Sequence, residues 1–368
     1  MKVLWLSWKD LKNPLAGGAE IVKEELARRL AKDGHEVVIL TAGFAGAKQE
    51  ESRDGYKIIR VGGRWTVYWH AYKYYKQHLR GWADVVIEEI NTVPFFSPCY
   101  VNEKRVLFFH QLCREIWFYQ MFFPLSWVGY CIEPVYLWWL RNNQVITVSD
   151  STKKDLIKYG FSEKRINIIS EGIELEPIDG LDKAKKSEEV VVLSLGAVRE
   201  MKRTVHQIKA FELAKRELPN LKLKIAGSGD GRYFEKVMRL IEDSPYRQDI
   251  EYLGWVSKVE KIKLMREARL IVVTSIKEGW GLIVTEANSQ GTPAVVYNVD
   301  GLRDSVKNKK TGLVTDKNSA QGLAEAIIGL LSMPMSDYEK MRKHAWEWSK
   351  KITFDESYEE LRRVIGVD

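Results

Sequence analysis

Between Leu270 and Tyr297 the chain reads LIVVTSIKEGWGLIVTEANSQGTPAVVY, and few backbones can satisfy that run. Leu270–Val273 is apolar and mostly β-branched, the pattern of a strand buried on both faces of a parallel sheet. Thr274-Ser275 ends it, and a loop holding Glu278, Gly279 and Gly281 follows. A helix is predicted from Leu282, with Glu286 on its second turn. Gly291-Thr292-Pro293 stops that helix, and Ala294 to Tyr297 begins the next strand. Strand, loop, helix and strand in this order make a βαβ unit, which commits the region to an open α/β sheet.

In such a sheet ligands bind beyond the carboxyl ends of the strands. The helix N-terminus there offers unpaired N–H groups and the positive end of a dipole, so it favours anions. Gly279 and Gly281 let backbone approach a ligand where a Cβ would intrude. Glu278 before the helix and Glu286 within it can both face one crevice, and carboxylates accept hydrogen bonds from paired hydroxyls. An anion-favouring helix end between two hydroxyl-binding acids suits phosphates flanked by two sugars, which describes a nucleotide-sugar.

The chain has 368 residues, enough for about two domains. At 45% hydrophobic and 29% charged residues it has the composition of a globular protein. The net charge of +7 favours anionic partners, whether phosphates, nucleic acid or an anionic membrane surface. Cys99, Cys113 and Cys131 lack metal-site spacing and read as free thiols of a reducing, cytoplasmic compartment. The opening MKVLWLSW is too short an apolar run for a targeting segment and reads as a first strand.

That strand leads to Asn13 through Glu20, with Gly17-Gly18 at the turn into a helix reaching Leu30. Asp33-Gly34-His35 then turns into a second strand, 36 to 41. This is another βαβ start with amides able to approach a phosphate, although the nicotinamide-type G-x-G-x-x-G spacing is absent. Strands are predicted at 56–61, 84–90 and 106–109, the last running into His110. Further strands are predicted at 144–149 and 166–169, with a helix at 153–159 capped from Ser149. The charged run 179–189 reads as a linker. A second α/β series begins at Val190, with Arg199 and Lys202 just after its first strand. There an arginine can grip a diphosphate bidentately while a lysine adds a point charge.

Residues 64–82 mix aromatics with Lys73, Lys76 and Arg80 and read as an amphipathic basic helix. Residues 116–140 are dense in Trp, Phe and Tyr. Pro124, Glu133 and Pro134 interrupt that run and count against a spanning helix, which needs about 20 unbroken apolar residues. Core packing and a membrane-facing surface both remain open, since Trp and Tyr beside Lys and Arg suit a lipid interface. No recognisable nucleic-acid-binding motif accompanies them, so nucleic acid is not an expected partner.

These features together resemble the retaining glycosyltransferases of family four, on the GT-B fold. The resemblance is carried by Glu278, Gly279, Gly281, Glu286, Ala287, Gly291, Pro293 and Gly301, which form a Glu-x7-Glu motif in its strand–loop–helix–strand setting. The glycine loop Gly17-Gly18-Ala19-Glu20 and the stretch Gly196 to Arg203 carry it further. The latter departs from the family's Gly-Arg-Leu-x-x-x-Lys-Gly: its arginine stands later in the stretch, after Val198, at Arg199, and Arg203 replaces the last glycine. Where the family commonly reads Asn-Gly-Val, this chain has Glu171-Gly172-Ile173.

The resemblance implies an α/β architecture of two Rossmann-like, doubly wound domains facing each other across a cleft that holds the nucleotide. Residues 1–178 would form the acceptor-side domain, 179–189 the linker and 190–344 the nucleotide-sugar domain, with a C-terminal helix in 345–368 crossing back onto the first. Arg199 and Lys202 would bind the diphosphate, aided by amides near Gly17-Gly18 and Gly281. Glu286 would hold the ribose, while Glu278 and His110 would meet the donor sugar. Val256, Gly279, Leu282 and Ile283 would line the donor. The expected reaction moves a sugar from a UDP- or GDP-sugar to a hydroxyl of a glycan or lipid-linked acceptor. It would need neither cofactor nor metal, since no Asp-x-Asp motif is present, and peripheral association with the inner membrane face would fit it. A nucleotide-sugar-binding protein without transfer activity, or a GT-B epimerase or phosphorylase, is the alternative.

Overall fold

The computed structural model describes residues 1–367. The chain divides into two compact units: unit one is 1–172 together with the stretch from Phe354 onward, and unit two is Ile173–Thr353.

Unit one opens with β1 (Lys2–Leu6), α1 (Gly18–Lys32) and β2 (Glu36–Thr41), followed by the hairpin β3 (Glu50–Arg53) and β4 (Tyr56–Arg60). Next come α2 (Val67–Tyr74), β5 (Val85–Ile90), β6 (Lys104–Phe109), α3 (Trp117–Gln120) and α4 (Leu125–Leu140). β7 (Gln144–Thr147), α5 (Asp150–Lys158) and β8 (Ile166–Ile168) complete this part. The strands form one sheet in the order β3-β4-β2-β1-β5-β6-β7-β8. Every pairing is parallel except the β3–β4 hairpin at the edge. β1 and β5 are buried almost throughout, as strands covered on both faces must be.

Unit two repeats the plan with β9 (Val190–Leu195), α6 (Thr204–Lys215), β10 (Leu221–Ala226), α7 (Gly231–Glu242), β11 (Ile250–Gly254) and α8 (Lys258–Glu267). β12 (Leu270–Val273), α9 (Leu282–Ser289), β13 (Ala294–Val296), α10 (Leu302–Ser305), β14 (Gly312–Val314), α11 (Ala320–Leu331) and α12 (Met335–Ser349) follow. Its sheet is wholly parallel, in the order β11-β10-β9-β12-β13-β14. The stretch read as a linker packs onto this unit. Arg342 donates to the carbonyls of Gly291 (3.0 Å) and Ala184 (3.1 Å), and the Trp346 indole donates to Ile178 (2.9 Å).

The chain then returns to unit one as α13 (Phe354–Ile365), which lies on α1. Arg29 pairs with Asp355 at 2.9 Å, and the Tyr358 hydroxyl donates to Asp33 at 2.7 Å. Glu360 accepts from the backbone N–H of Ser170 at 2.6 Å.

The aromatic block does not pack as a core. One stripe of α4 is buried: Ser126, Glu133, Tyr136, Leu137 and Leu140. The opposite stripe is apolar and exposed. The core-packing reading therefore holds for one side only, because the block is a helix that is apolar nearly all round on the surface of a unit. Its continuity through Pro134 has a specific cause. The proline lacks the N–H that the Tyr130 carbonyl would accept, and Arg114 donates to that carbonyl instead, at 3.0 Å. Among the described residues no helix is long and apolar enough to cross a membrane.

α13 can dock only because Gly172 has no side chain. A Cβ there would lie 2.3 Å from the backbone nitrogen of Phe354. Gly172→Ala is expected to destabilise unit one by about 1–3 kcal/mol, the usual cost of forcing a methyl into packed backbone. Equilibrium denaturant unfolding would measure it, and an unchanged midpoint would mean that α13 docks more loosely than described.

Candidate functional site

In unit two the strand order reverses between β9 and β12, the place where an open α/β sheet leaves a crevice beyond its strand ends. Two loops meet there. After β9 the chain passes Gly196 to Arg203, and after β12 it passes Thr274 to Gly281. Thr274, fully buried, ties them together: its hydroxyl donates to the Lys202 carbonyl at 2.7 Å and accepts from Gln207 at 2.9 Å. The Ile276 N–H adds a bond to the Met201 carbonyl at 2.9 Å.

Held this way, the Lys202 ammonium pairs with the Glu278 carboxylate, which also accepts from the Ser275 hydroxyl. The next loop is pinned from below, since the Glu278 N–H donates to the Asp300 carbonyl at 3.1 Å and Lys277 pairs with Asp300 at 2.9 Å. A Cβ on Gly301 would sit 2.3 Å from the Glu278 carbonyl, so this approach demands glycine. Gly281, at φ +97°, turns the chain into α9 in a left-handed conformation that also favours glycine.

Glu286 lies on the second turn of α9 and is only 7% exposed. Burial raises its carboxyl pKa, against the pull of Lys261, whose ammonium stands 2.6 Å away. Two acids and two lysines thus stand around the loop and start of α9. Leu282 and Ile283 are half-buried on its first turn, beside Gly279. Arg199 is exposed in the neighbouring turn and makes no ion pair among the described residues. Val256 follows β11, at the same end of the sheet but two strands from β9.

Unit one has its own reversal, between β1 and β5, and a chain of buried charges occupies it. The Lys23 ammonium donates to the Ser7 hydroxyl at 2.7 Å and to the Lys9 carbonyl, and stands 3.3 Å from Glu89. Glu89 meets Nε2 of His110 at 3.0 Å, and Glu171 meets Nδ1 at 2.7 Å. Burial lowers the imidazole pKa, but the two carboxylates outweigh it and raise it to about 10. Burial likewise works against ionised Glu89, yet Lys23 and His110 hold it ionised, with its pKa lowered to about 2.

The glycine loop nearby is partly self-occupied: the Gly17 N–H donates to the Glu20 carboxylate at 2.7 Å, and Lys9 pairs with the same oxygen at 3.2 Å. Gly18 begins α1 and is half-buried.

Within unit two, the structure therefore brings Lys202, Glu278, Gly279, Gly281 and Glu286 to one end of the sheet. His110 lies in unit one with both ring nitrogens engaged by carboxylates. Sequence reading passed over Lys261, Glu89 and Lys23. Glu89 left a signal, because β5 reads VVIEEI and an acid in a strand buried on both faces must find a partner.

The clamp on His110 generates a test. A histidine with a raised pKa stabilises the fold in full below its unfolded value near 6.5 and loses that contribution as pH rises through about 10. Nitrogen NMR at pH 8 should show both ring nitrogens protonated. Glu171→Gln should lower the pKa by roughly 1–3, the usual effect of one adjacent charge. A neutral His110 at pH 8 in the unaltered protein would refute the clamp.

Comparison with known proteins bears on the family and the fold. The family model described as Glycosyltransferase Family 4 matches residues 16–177, and that of Glycosyl transferases group 1 matches residues 181–348. An uncharacterized glycosyltransferase of Methanocaldococcus jannaschii is 26% identical, over 90% of this chain and 89% of that one. A poly(glycerol-phosphate) alpha-glucosyltransferase of Bacillus subtilis is 32% identical over 48% of this chain, and the match spans about a quarter (26%) of that relative's length. Among solved structures, sucrose-phosphate synthase from Thermosynechococcus elongatus superposes with TM-score 0.79 at 18% identity, covering 99% of this chain and 98% of that one. An Anabaena protein solved with UDP and glucose gives 0.73 at 15%, covering 100% and 99%. Matched almost end to end by the two family models, the chain belongs to the family 4 glycosyltransferases and has the GT-B fold.

Proposed function

We propose that this glycosyltransferase moves a hexose from a nucleoside-diphosphate-sugar, a UDP- or GDP-sugar, to an acceptor hydroxyl with retention of anomeric configuration. The observation that carries the reading is the pairing of Lys202 with Glu278 at the strand reversal of unit two, one loop away from buried Glu286. A lysine held on an acid at the mouth of a helix is a cation ready for a diphosphate, and the acid it leaves is ready for sugar hydroxyls. Glu286, kept in place by Lys261, is assigned to the ribose. Exposed Arg199 is assigned to the diphosphate beside Lys202. Gly279, Leu282, Ile283 and Val256 are assigned to the walls. In unit one, His110 is assigned to the donor sugar, with Glu171 setting its charge, and Gly17-Gly18 to the glycine loop's part in binding.

In the reaction the bond between the anomeric carbon and the β-phosphate oxygen breaks as the acceptor oxygen bonds to that carbon from the same face. The acceptor proton passes to the departing phosphate oxygen. Negative charge grows on the diphosphate, and Lys202, Arg199 and the amides at the start of α9 stabilise it. On this reading the cations do the work that a metal ion does elsewhere. The Bacillus relative's name speaks of glucosyl transfer to a phosphate-rich polymer, and the Anabaena structure holds UDP and glucose. The first name is in keeping with a polymeric acceptor and the second with a UDP-sugar donor; we assign the acceptor to a glycan or a lipid-linked molecule held at a membrane.

Lys202→Ala should cut kcat/KM by roughly 10²–10³, the loss seen when one transition-state donor is removed, while leaving the fold intact. Glu286→Gln should act mainly on donor KM. Nucleoside diphosphate release from a panel of donors measures both. Tight donor binding without release from any of them would favour a sugar-nucleotide-binding protein instead.

A further inference from the structure

We infer that unit one docks on an anionic lipid bilayer through α4 and the aromatic turn before it, with α2 as a basic arm beside them. Along α4 the residues Val128, Cys131, Ile132, Val135, Trp138 and Trp139 recur at spacings of three and four, and all are exposed. That is the stripe an amphipathic helix normally turns toward a core. Just before it, Phe122 and Phe123 are 72% and 76% exposed. From Ile116 to Leu140 the only charged residue is Glu133. It faces inward, accepting from the N–H groups of Cys113 and Arg114, both at 2.7 Å, and from the Trp117 indole at 2.9 Å. The outward face therefore carries no charge to solvate.

Ring contacts running through buried Phe95 tie α2 to this part of the unit. Phe96 meets Trp139 at 5.8 Å, and its neighbour Phe95 meets Tyr68 of α2 at 4.8 Å. Trp65, just before α2, and Trp69 on it are both exposed, with Arg64 over the first ring at 4.9 Å and Lys73 over the second at 5.1 Å. Residues 64–82 contain Arg64, Lys73, Lys76 and Arg80 and no acid.

Three properties select the occupant. Tryptophans and tyrosines beside lysines and arginines match the acyl-to-headgroup boundary, where an indole is half wet and a cation meets lipid phosphate. An acid-free basic arm matches anionic lipid. At 16 residues α4 spans about 24 Å, short of the roughly 30 Å hydrocarbon layer, so it lies in the interface and does not cross. A second copy paired about a two-fold axis would use the same patch on both subunits, and that patch includes the acid-free cationic arm. The proposal adds a location to the transfer reading, and it rests on that reading only in making the bilayer the place where the acceptor is met.

Co-sedimentation of the whole chain with phosphatidylglycerol–phosphatidylcholine vesicles tests it. The chain should pellet with them, pellet less at high salt, and stay largely in the supernatant with phosphatidylcholine alone. Phe122→Ser with Phe123→Ser should lower the vesicle affinity by roughly tenfold or more, given the apolar surface removed, with an unchanged circular dichroism spectrum. Lys73→Glu with Lys76→Glu should abolish the preference for anionic lipid. Wild-type chain left in the supernatant, or phenylalanine variants that pellet as before, would overturn the proposal. So would a dimer in sedimentation velocity that the phenylalanine variants dissolve, which would give the face to a second copy. Nucleoside diphosphate release by the same variants separates the two readings. Lost vesicle binding in the wild type with release intact sinks docking alone, and docking without release from any donor sinks the transferase mechanism alone.

Discussion

A single buried hydroxyl fixes the geometry of unit two's reversal. Thr274 stands at the end of β12 with no exposure, accepts from Gln207 of α6, and donates to the carbonyl of Lys202. β9 and β12 are neighbours in the sheet, and this hydroxyl together with the Ile276–Met201 backbone bond holds the loops that follow them side by side. The threonine makes the position of Lys202 a consequence of where β12 ends. Serine would keep the hydroxyl but surrender the χ1 stiffness of a β-branched side chain. Valine would keep the shape and leave two buried polar partners unmatched, which is the costlier loss.

The two units meet the same electrostatic problem differently. Unit two sets each acid of its site next to one lysine, half-buried Glu278 on Lys202 and buried Glu286 on Lys261, so a charged ligand can exchange partners with a pair without leaving an uncompensated ion in the interior. Unit one buries Lys23, Glu89, His110 and Glu171 as a chain of alternating sign, with little solvent to screen any break. Removing an inner member, Glu89 or His110, takes the partner from an outer charge of the chain, so the chain is rigid where the unit-two pairs are exchangeable. This is why a ring nitrogen of His110 comes free only if a carboxylate is moved. It is also why Glu171, where the resembling family commonly carries asparagine, changes the character of the position: asparagine can bond the ring but cannot hold it charged.

How much of this was legible depends on how local the cause is. The limits of α9 follow from Gly281 and Gly291-Thr292-Pro293, and both ends fall where those residues put them. The Ser149 cap of α5 is equally local, with its hydroxyl accepting the Thr152 N–H at 3.2 Å. β3 escaped notice because EESR has no apolar alternation and exists only as the edge partner of β4. α4 was hidden by Pro134, whose cost is met by Arg114, a residue twenty positions earlier that no local pattern connects to it. Within the candidate site, Glu278 and Glu286 were visible by their spacing. Lys261 was not, because a lysine on a polar helix looks like every solvated lysine until the fold sets it against a buried acid.

α4 also inverts the usual logic of a surface helix. Its inward side holds the carboxylate, and its outward side holds the rings. Burial raises the pKa of Glu133 although three N–H groups accompany it, so the carboxylate sits there at a desolvation cost that an outward-facing position would not incur. What it gains is the turn from Cys113 to Trp117, whose amides it caps. A helix meant only for water would turn its rings in and its acid out. Here the fold spends a buried acid on holding the turn and leaves the rings exposed, an arrangement that costs little only where the outside is also apolar. The Cys113–Trp117 turn follows β6 and His110, so the segment that carries the exposed rings begins three residues after the histidine of unit one's buried charge chain. The exposed helix and the buried histidine are thereby held by one continuous, polar-anchored stretch of chain.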